Sequence, residues 1–133
     1  EGVRRTGRAR TINREKLVYE DVVRELQDPA SLRSRIFWPY LDMIRVRIKQ
    51  PAFDPKAGFK SLNIDPRVFA ITRRCQDQTL YALTNVTSRE LVVSITAIEK
   101  SVWLEDLVAG QRFNPEAIRL KPYQYVWLHP AAE

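Results

Sequence analysis

The pattern of apolar and polar residues changes once along this chain. Over residues 19–49 apolar side chains recur every three or four positions, which predicts helices. From residue 59 onward they alternate with polar ones in short runs separated by turn residues, which predicts strands. We therefore expect an α+β protein, with a basic loop and two helices over residues 1–58 and an antiparallel β-sandwich or meander over residues 59–133.

Two helices are predicted before the sheet. The first covers Tyr19–Gln27, where the apolar residues share one helical face. The second starts at Asp28, a favoured N-cap followed by a proline, and continues to about Lys49. Pro39 should kink this helix or divide it in two, because an interior proline removes a hydrogen bond. Residues 1–14 show no period and are predicted to be a loop.

Seven short runs make up the strand-like part of the chain. No helical pattern separates them and the turns between them are short, so neighbouring strands should pair antiparallel. The predicted strands are Phe59–Ile64, Arg67–Arg74, Thr79–Asn85, Leu91–Ala97, Val102–Val108, Ala117–Leu120 and Tyr123–His129.

The last of these strands is apolar on both faces. In an extended chain Tyr123, Tyr125 and Trp127 lie on one side, whereas Val126 and Leu128 lie on the other. We expect such a strand to be central and covered on both faces, by a second sheet or by a neighbouring domain. Its aromatic side chains are interpreted as core, with a platform that stacks on sugar rings as the alternative.

The net charge of +6 is concentrated at one end of the chain. Residues 1–16 carry six basic and two acidic side chains, whereas the remaining 117 residues carry sixteen basic and fourteen acidic ones. A basic arm can bind phosphates non-specifically, so a nucleic-acid-binding arm is one alternative function. No helix-turn-helix, zinc-finger or RNP pattern accompanies the arm, which argues against nucleic acid as the partner.

Few residues could support metal or redox chemistry. Cys75 is the only cysteine, which excludes a disulfide within the chain, and His129 is the only histidine. We therefore predict no metal and no cofactor. No apolar run approaches the roughly 18 residues of a membrane-spanning helix, and no signal peptide is visible, so a cytoplasmic protein is expected.

Seven stretches carry a resemblance when they are taken in order: Arg10–Leu17, Asp28–Arg33, Pro51–Phe53, Arg67–Thr72, Asn85–Val86, Asp106–Phe113 and Leu120–Leu128. Together they cover nearly the whole chain. They resemble the C-terminal end of alpha-amylase family (family 13) glycoside hydrolases, and look most like the sucrose-phosphorylase-like subgroup.

The resemblance implies that the chain is the end of a longer enzyme whose catalytic (β/α)8 barrel precedes it. The two helices would close the barrel, and the sheet would pack on it and stabilise it. The parent enzyme would transfer a glucosyl unit from an alpha-glucoside, such as sucrose, to phosphate or water. Its catalytic carboxylates would belong to barrel strands that this chain lacks, so no catalytic residue is assigned here.

Three residues of the first stretch match a family pattern, Arg-x-Ile-Asn-Arg, that lies beside the substrate. Arg10 corresponds to the arginine that holds the glucosyl ring, a task that suits the fixed donors of a guanidinium. Asn13 and Arg14 match the same pattern, either to bind sugar with the help of the barrel or to hold the loop. Thr11 stands where the family often has Asp.

The acidic residues of the sheet segment are interpreted as surface or turn residues: Glu99, Glu105, Asp106 and Glu116. Asp106 is expected to cap the turn toward Gly110, since aspartate side chains readily accept hydrogen bonds from nearby backbone N–H groups.

Two further expectations concern exposed apolar side chains. An independent carbohydrate-binding module is the main alternative function, and it would use Trp38, Trp103 or Trp127. Helices that normally pack on a barrel would leave an apolar face bare in this chain. We expect that face to be shared between the sheet and a partner, either the barrel or a second copy of the chain: Leu32, Ile36, Tyr40 and Ile44.

Overall fold

A computed structural model describes residues 2–12 and 16–131. The chain divides into two compact units, Glu1–Leu41 and Asp42–Glu133. The boundary between the units falls inside the third helix. The boundary predicted from the sequence, at residue 58, lies instead where the spacing of apolar residues changes from helical to strand-like. The first unit contains α1 (Gly2–Thr6), a 3-10 turn (Ala9–Ile12), α2 (Tyr19–Gln27) and most of α3 (Leu32–Arg47).

The second unit begins with the end of α3 and a 3-10 turn at Pro51–Phe53, which we call the joint. Its described residues then form eight strands: β1 (Gly58–Ser61), β2 (Val68–Cys75), β3 (Gln78–Asn85), β4 (Leu91–Val93), β5 (Leu104–Asp106), β6 (Arg112–Phe113), β7 (Ile118–Leu120) and β8 (Tyr125–Pro130). Six make one antiparallel sheet in the order β1-β2-β3-β8-β5-β6, and β4 pairs with β7 in a second sheet. The predicted α+β fold class is confirmed.

The start of the chain differs from the predicted loop. Gly2–Thr6 and Ala9–Ile12 are helical. Elements of five and four residues make little more than one helical turn, too few for an apolar period to show. Gly7 ends α1 with a positive φ of 67°, and its N–H donates to the carbonyl of Val3 over 2.7 Å. Such a left-handed glycine is a common way to end a helix.

The helices match the prediction at α2 and differ at the start of α3. The predicted bounds of α2 are confirmed. Asp28 does not cap α3, because its carboxylate accepts from the N–H of Ala30 over 2.9 Å and holds a turn instead. Ser31 takes the capping role, since its hydroxyl oxygen accepts from the N–H of Ser34 over 3.0 Å. Pro39 lies inside α3, which remains one helix.

Several strands are shorter than their apolar runs. β4 ends at Val93, although Ile95 beyond it is still buried at 1% exposure. β5 ends at Asp106, because the carbonyl of this residue accepts from Gly110 and closes a turn. The two-residue strand β6 was not predicted, since so short a strand shows no alternation.

The main core lies between the two sheets. It takes the inward side chains of the large sheet and those of β4 and β7, all buried: Val68, Ala70, Tyr81, Leu83, Leu91, Val93, Ile95, Leu104, Phe113, Ile118, Leu120, Val126 and Leu128. Alternation along β4 and β7 therefore buries every second residue, as expected for a sandwich.

The last strand is central, as predicted, with β3 on one side and β5 on the other. Val126 and Leu128 are fully buried in the main core, while Tyr125 and Trp127 on the opposite face are half-buried. Tyr123 was wrongly placed in the strand. It has a positive φ of 55° and is exposed, because residues 121–124 form the turn that precedes β8.

Asn85 fastens the end of β3 to the loop that follows it and to the loop that follows β7. Its side chain is completely buried, and its amide nitrogen donates to the carbonyls of Arg89 and Lys121 over 2.7 and 2.9 Å. Its side-chain oxygen accepts from the backbone N–H and the hydroxyl of Thr87. One side chain thus satisfies backbone groups of two loops, which buried polar groups require.

Candidate functional site

The predicted substrate-binding residues lie near the start of the chain. Arg10 belongs to the 3-10 turn Ala9–Ile12, and its side chain is exposed. Asn13 and Arg14 lie outside the described residues. The structure therefore places one of the three candidates, on an exposed helical turn, and their role in binding sugar stays a prediction.

Asp106 caps its turn as predicted, but it is buried rather than at the surface. One carboxylate oxygen accepts from the N–H of Ala109 over 2.9 Å. The other accepts from the N–H of Trp127 over 2.8 Å, which joins the turn to β8. The side chain is 3% exposed, and two backbone donors use its two oxygens. This carboxylate therefore serves the fold.

Glu99 is the other acidic residue with several described partners. One oxygen accepts from the N–H groups of Lys100 and Ser101 and from the Ser101 hydroxyl, and the other accepts from the hydroxyl of Tyr81 over 2.9 Å. Burial raises the pKa of Glu99, but these hydrogen bonds outweigh burial and hold the pKa below its usual value. Burial, assisted by the bond to Glu99, raises the pKa of Tyr81 to about 12.

The large sheet has a second apolar face, opposite the main core, which we call the outer face. Directly paired residues of antiparallel strands point to the same side, so the register defines the rows of this face. The rows are Phe69, Thr84 and Tyr125, then Ser61, Ile71, Ala82 and Trp127, then Phe59, Arg73 and Leu80.

Hydrogen bonds between side chains of the sheet and backbone groups in and next to the joint attach it to one end of the outer face. The Arg73 guanidinium donates to the carbonyls of Ala52 and Asp54 over 2.6 and 2.8 Å. The side-chain oxygen of Gln78 accepts from the N–H of Ala52 over 2.9 Å. The sequence pattern did not predict this attachment. Its one visible signal is the charged Arg73 on a face that β2 otherwise makes apolar.

Ring contacts continue the attachment. The Phe53 ring packs on that of Trp127 with centroids 4.7 Å apart, and the Arg47 guanidinium lies over the Phe53 ring at 4.6 Å from its centroid. Ala52 and Leu80 complete this small cluster and are fully buried. The end of α3 is therefore fixed to the centre of the sheet through the joint.

Among the described residues, the three tryptophans do not form a flat aromatic surface on which sugar rings could stack. Trp127 is half-buried, and its ring neighbours Phe53 and Tyr125 are tilted by 58° and 53°, whereas successive sugar rings would favour coplanar surfaces. Trp38 and Trp103 are 44% and 45% exposed. The Trp38 indole N–H donates to the carbonyl of Leu26 over 3.0 Å, which ties α3 to α2.

The predicted apolar helix face is open in this chain. Leu32, Ile36 and Tyr40 are at least 60% exposed, and Ile44 is 38% exposed. Ile36 and Tyr40 also line a groove between α2 and α3, whose other apolar lining residues are Val22, Leu26 and Phe37. The identity of the partner that covers this face stays a prediction.

The part of the chain that the structure describes contains no cluster of three or more residues suited to hold a metal ion. Among these same residues no helix has the length and apolar character needed to cross a membrane.

The fold is that of a domain found in known sugar-active enzymes. The alpha-amylase from Anoxybacillus matches with a TM-score of 0.64 at 18% identity, over 80% of this chain and 25% of the amylase. No family model matches the sequence. The chain therefore has the fold of the C-terminal β domain of alpha-amylase family enzymes.

Sequence comparison leads to particular relatives. The chain is 41% identical to the glucosylglycerate phosphorylase of Spirochaeta thermophila over 145 aligned positions, which cover 98% of the chain and 24% of that enzyme. It is 35% identical to the glucosylglycerate phosphorylase of Allomeiothermus silvanus, over 96% of the chain and 21% of that enzyme. The chain thus spans less than a quarter of these relatives and corresponds to a C-terminal part of an alpha-amylase family (family 13) enzyme, which confirms the resemblance.

Proposed function

We propose that the chain is the non-catalytic C-terminal part of a phosphorylase that acts on glucosylglycerate. Similarity to two glucosylglycerate phosphorylases over 96% and 98% of the chain carries this proposal. Their names favour glucosylglycerate over sucrose, the substrate expected from the sequence. The β domain would pack on the catalytic barrel of the parent enzyme and stabilise it.

The reaction requires groups that this chain does not supply. Phosphorolysis breaks the bond between the anomeric carbon and the glycerate oxygen, forms a bond from that carbon to a phosphate oxygen, and leaves a proton on glycerate. A retaining glycosidase-type site uses two carboxyl groups about 5 to 5.5 Å apart. Asp106 and Glu99 instead accept hydrogen bonds from backbone and side-chain donors within the β domain.

Arg10 is the residue through which this chain would touch the substrate. Its exposed guanidinium offers several donors in one plane, which can bind sugar hydroxyls and a carboxylate together. Asn13 and Arg14 would complete the same loop beside the glucosyl ring. In this proposal the start of the chain contributes to the active site and the β domain supports it.

The test replaces the C-terminal part of the Spirochaeta thermophila enzyme by this chain and measures phosphate-dependent release of glucose phosphate. We expect the hybrid to cleave glucosylglycerate faster than sucrose, and the 133-residue chain alone to cleave neither. Arg10→Ala in the hybrid should lower kcat/KM at least about tenfold, and Arg10→Lys should not restore it. Turnover by the chain alone, or a soluble hybrid that prefers sucrose, would contradict the proposal.

A further inference from the structure

A concentration of positive charge lies around the one candidate substrate residue that the structure places. Residues 2–12, which we call the basic segment, contain no acidic residue and four arginines: Arg4, Arg5, Arg8 and Arg10. All four side chains are exposed. The helix α2, which follows along the chain, carries three acidic residues and one arginine, so the excess of positive charge does not extend into it.

The backbone keeps these arginines together. Arg4 and Arg5 lie in the last turn of α1, and Gly7 ends that helix with a positive φ of 67°. The chain then continues directly into the 3-10 turn Ala9–Ile12, which carries Arg10. Because six residues span at most about 20 Å even in an extended chain, Arg4 lies within that distance of Arg10, and the other arginines lie closer.

The charge of the basic segment favours a small anion as its partner. Like charges held this close repel each other, so an anion beside them is stabilised. In the proposed reaction the glucosylglycerate molecule brings such a group, because its glycerate part carries a carboxylate at neutral pH. The basic segment has no aromatic side chain on which a nucleic-acid base could stack, which favours a small anion over nucleic acid.

We propose that Arg4, Arg5 and Arg8 attract the glycerate carboxylate toward the site at Arg10, and so give the enzyme a preference for an acidic glucoside over a neutral one. The inference rests on the proposed function and deepens it, because it assigns the choice of substrate charge to three residues. Arg10 would hold the glucosyl ring, whereas the three other arginines act on the charge of the remaining part of the substrate. Their effect is electrostatic and acts at a distance, so it should weaken as salt is added.

Two glucosides that differ in charge test the inference in the hybrid with the Spirochaeta thermophila catalytic part. Glucosylglycerol has a hydroxymethyl group where glucosylglycerate has the carboxylate, and is otherwise the same. The glutamine variant replaces three arginines together: Arg4→Gln, Arg5→Gln and Arg8→Gln. The lysine variant replaces the same three by lysine and keeps the charge. Values of kcat/KM for both glucosides are measured at saturating phosphate, at low and at high salt.

A control variant removes the same amount of charge from the second unit, at three exposed residues: Arg89→Gln, Arg112→Gln and Lys121→Gln. We expect the glutamine variant to lose at least about fivefold in kcat/KM for glucosylglycerate and less than about twofold for glucosylglycerol. The lysine and control variants should keep the preference for the acid, and high salt should reduce it in the unchanged hybrid.

Three results would overturn the inference. The first is an equal loss for both glucosides in the glutamine variant, which would show a structural role for the arginines. The second is an equal preference for the acid in the glutamine variant and the unchanged hybrid. The third is a loss confined to the dependence of the rate on phosphate concentration, which would assign the basic segment to phosphate.

Binding measurements separate this inference from the proposed reaction. Calorimetry without phosphate gives the affinity of the hybrid and of the glutamine variant for each glucoside. If the hybrid does not turn over but the glutamine variant binds glucosylglycerate alone more weakly, the inference is supported and the proposed reaction is refuted. If the hybrid turns over glucosylglycerate with a preference that the glutamine variant keeps, only the inference is refuted. A hybrid that neither binds nor cleaves glucosylglycerate would overturn both.

Discussion

Replacement of Asn85 by alanine tests how the sandwich is held together. The fully buried side chain donates to the carbonyls of Arg89 and Lys121 and accepts from the N–H of Thr87. Alanine removes these three hydrogen bonds and leaves three backbone groups without these partners. At roughly 1 kcal/mol for each bond, Asn85→Ala should lower the free energy of unfolding by about 3 kcal/mol.

Asn85→Asp keeps the shape of the side chain but replaces its N–H donors by an oxygen. Its carboxylate would face the same two carbonyl oxygens, so at pH 7 we expect this variant to be less stable than Asn85→Ala. Repulsion and burial should raise the folded-state pKa of the new carboxyl group. A raised pKa means that stability is retained below the unfolded pKa of about 4 and lost as the pH rises through the folded one.

Urea unfolding at pH 4 and pH 7, with Ser88→Ala as an exposed loop control, measures these effects. A loss below about 1 kcal/mol for Asn85→Ala would refute the reasoning. Equal stability of the alanine and aspartate variants at pH 7 would show that the donated bonds do not matter.

Three other substitutions probe the same unit. The pKa of Tyr81 is about 12 in the folded state, above its usual 10, so the contribution of the neutral hydroxyl to stability should be complete below pH 10 and be lost as the pH rises to 12. Tyr81→Phe should therefore reduce the fall of the urea midpoint over this pH range, and an equal fall in the variant would contradict the prediction. Trp127→Ala should cost about 2 to 3 kcal/mol, less than a fully buried tryptophan, whereas no cost in thermal unfolding would show a loose surface ring. Arg73→Ala should speed hydrogen exchange at Ala52 in the joint without affecting β4, and unchanged exchange there would show that the two bonds are dispensable.

Periodicity was sufficient for the elements whose apolar residues follow a regular pattern. The bounds of α2 followed from the helical spacing of its apolar residues, and the central place of the last strand followed from its two apolar faces. Where side chains compete with the regular pattern the prediction was wrong. Asp28 binds its own turn instead of capping α3, and Tyr123 has a left-handed backbone that no apolar pattern reveals.

The joint and the buried carboxylate depend on contacts between distant residues. Asp106 reaches the backbone of Trp127, and Arg73 reaches that of Ala52, across separations that no local spacing encodes. The candidate substrate residues came from a resemblance to a family, not from chemistry visible in the chain. Arg10 is placed on an exposed turn, and its partners in catalysis would belong to another part of the parent enzyme.

The position of β8 has a consequence for folding during synthesis on the ribosome. β8 follows every other described strand along the chain, yet it joins β3 on one side to β5 on the other. Until it leaves the exit tunnel, the nascent sheet consists of two ribbons with unpaired edges, which are exposed to chaperones and to aggregation. A stop codon shortly before Tyr125 would remove the middle of the sheet and not its margin, so the truncated chain could not complete this sheet.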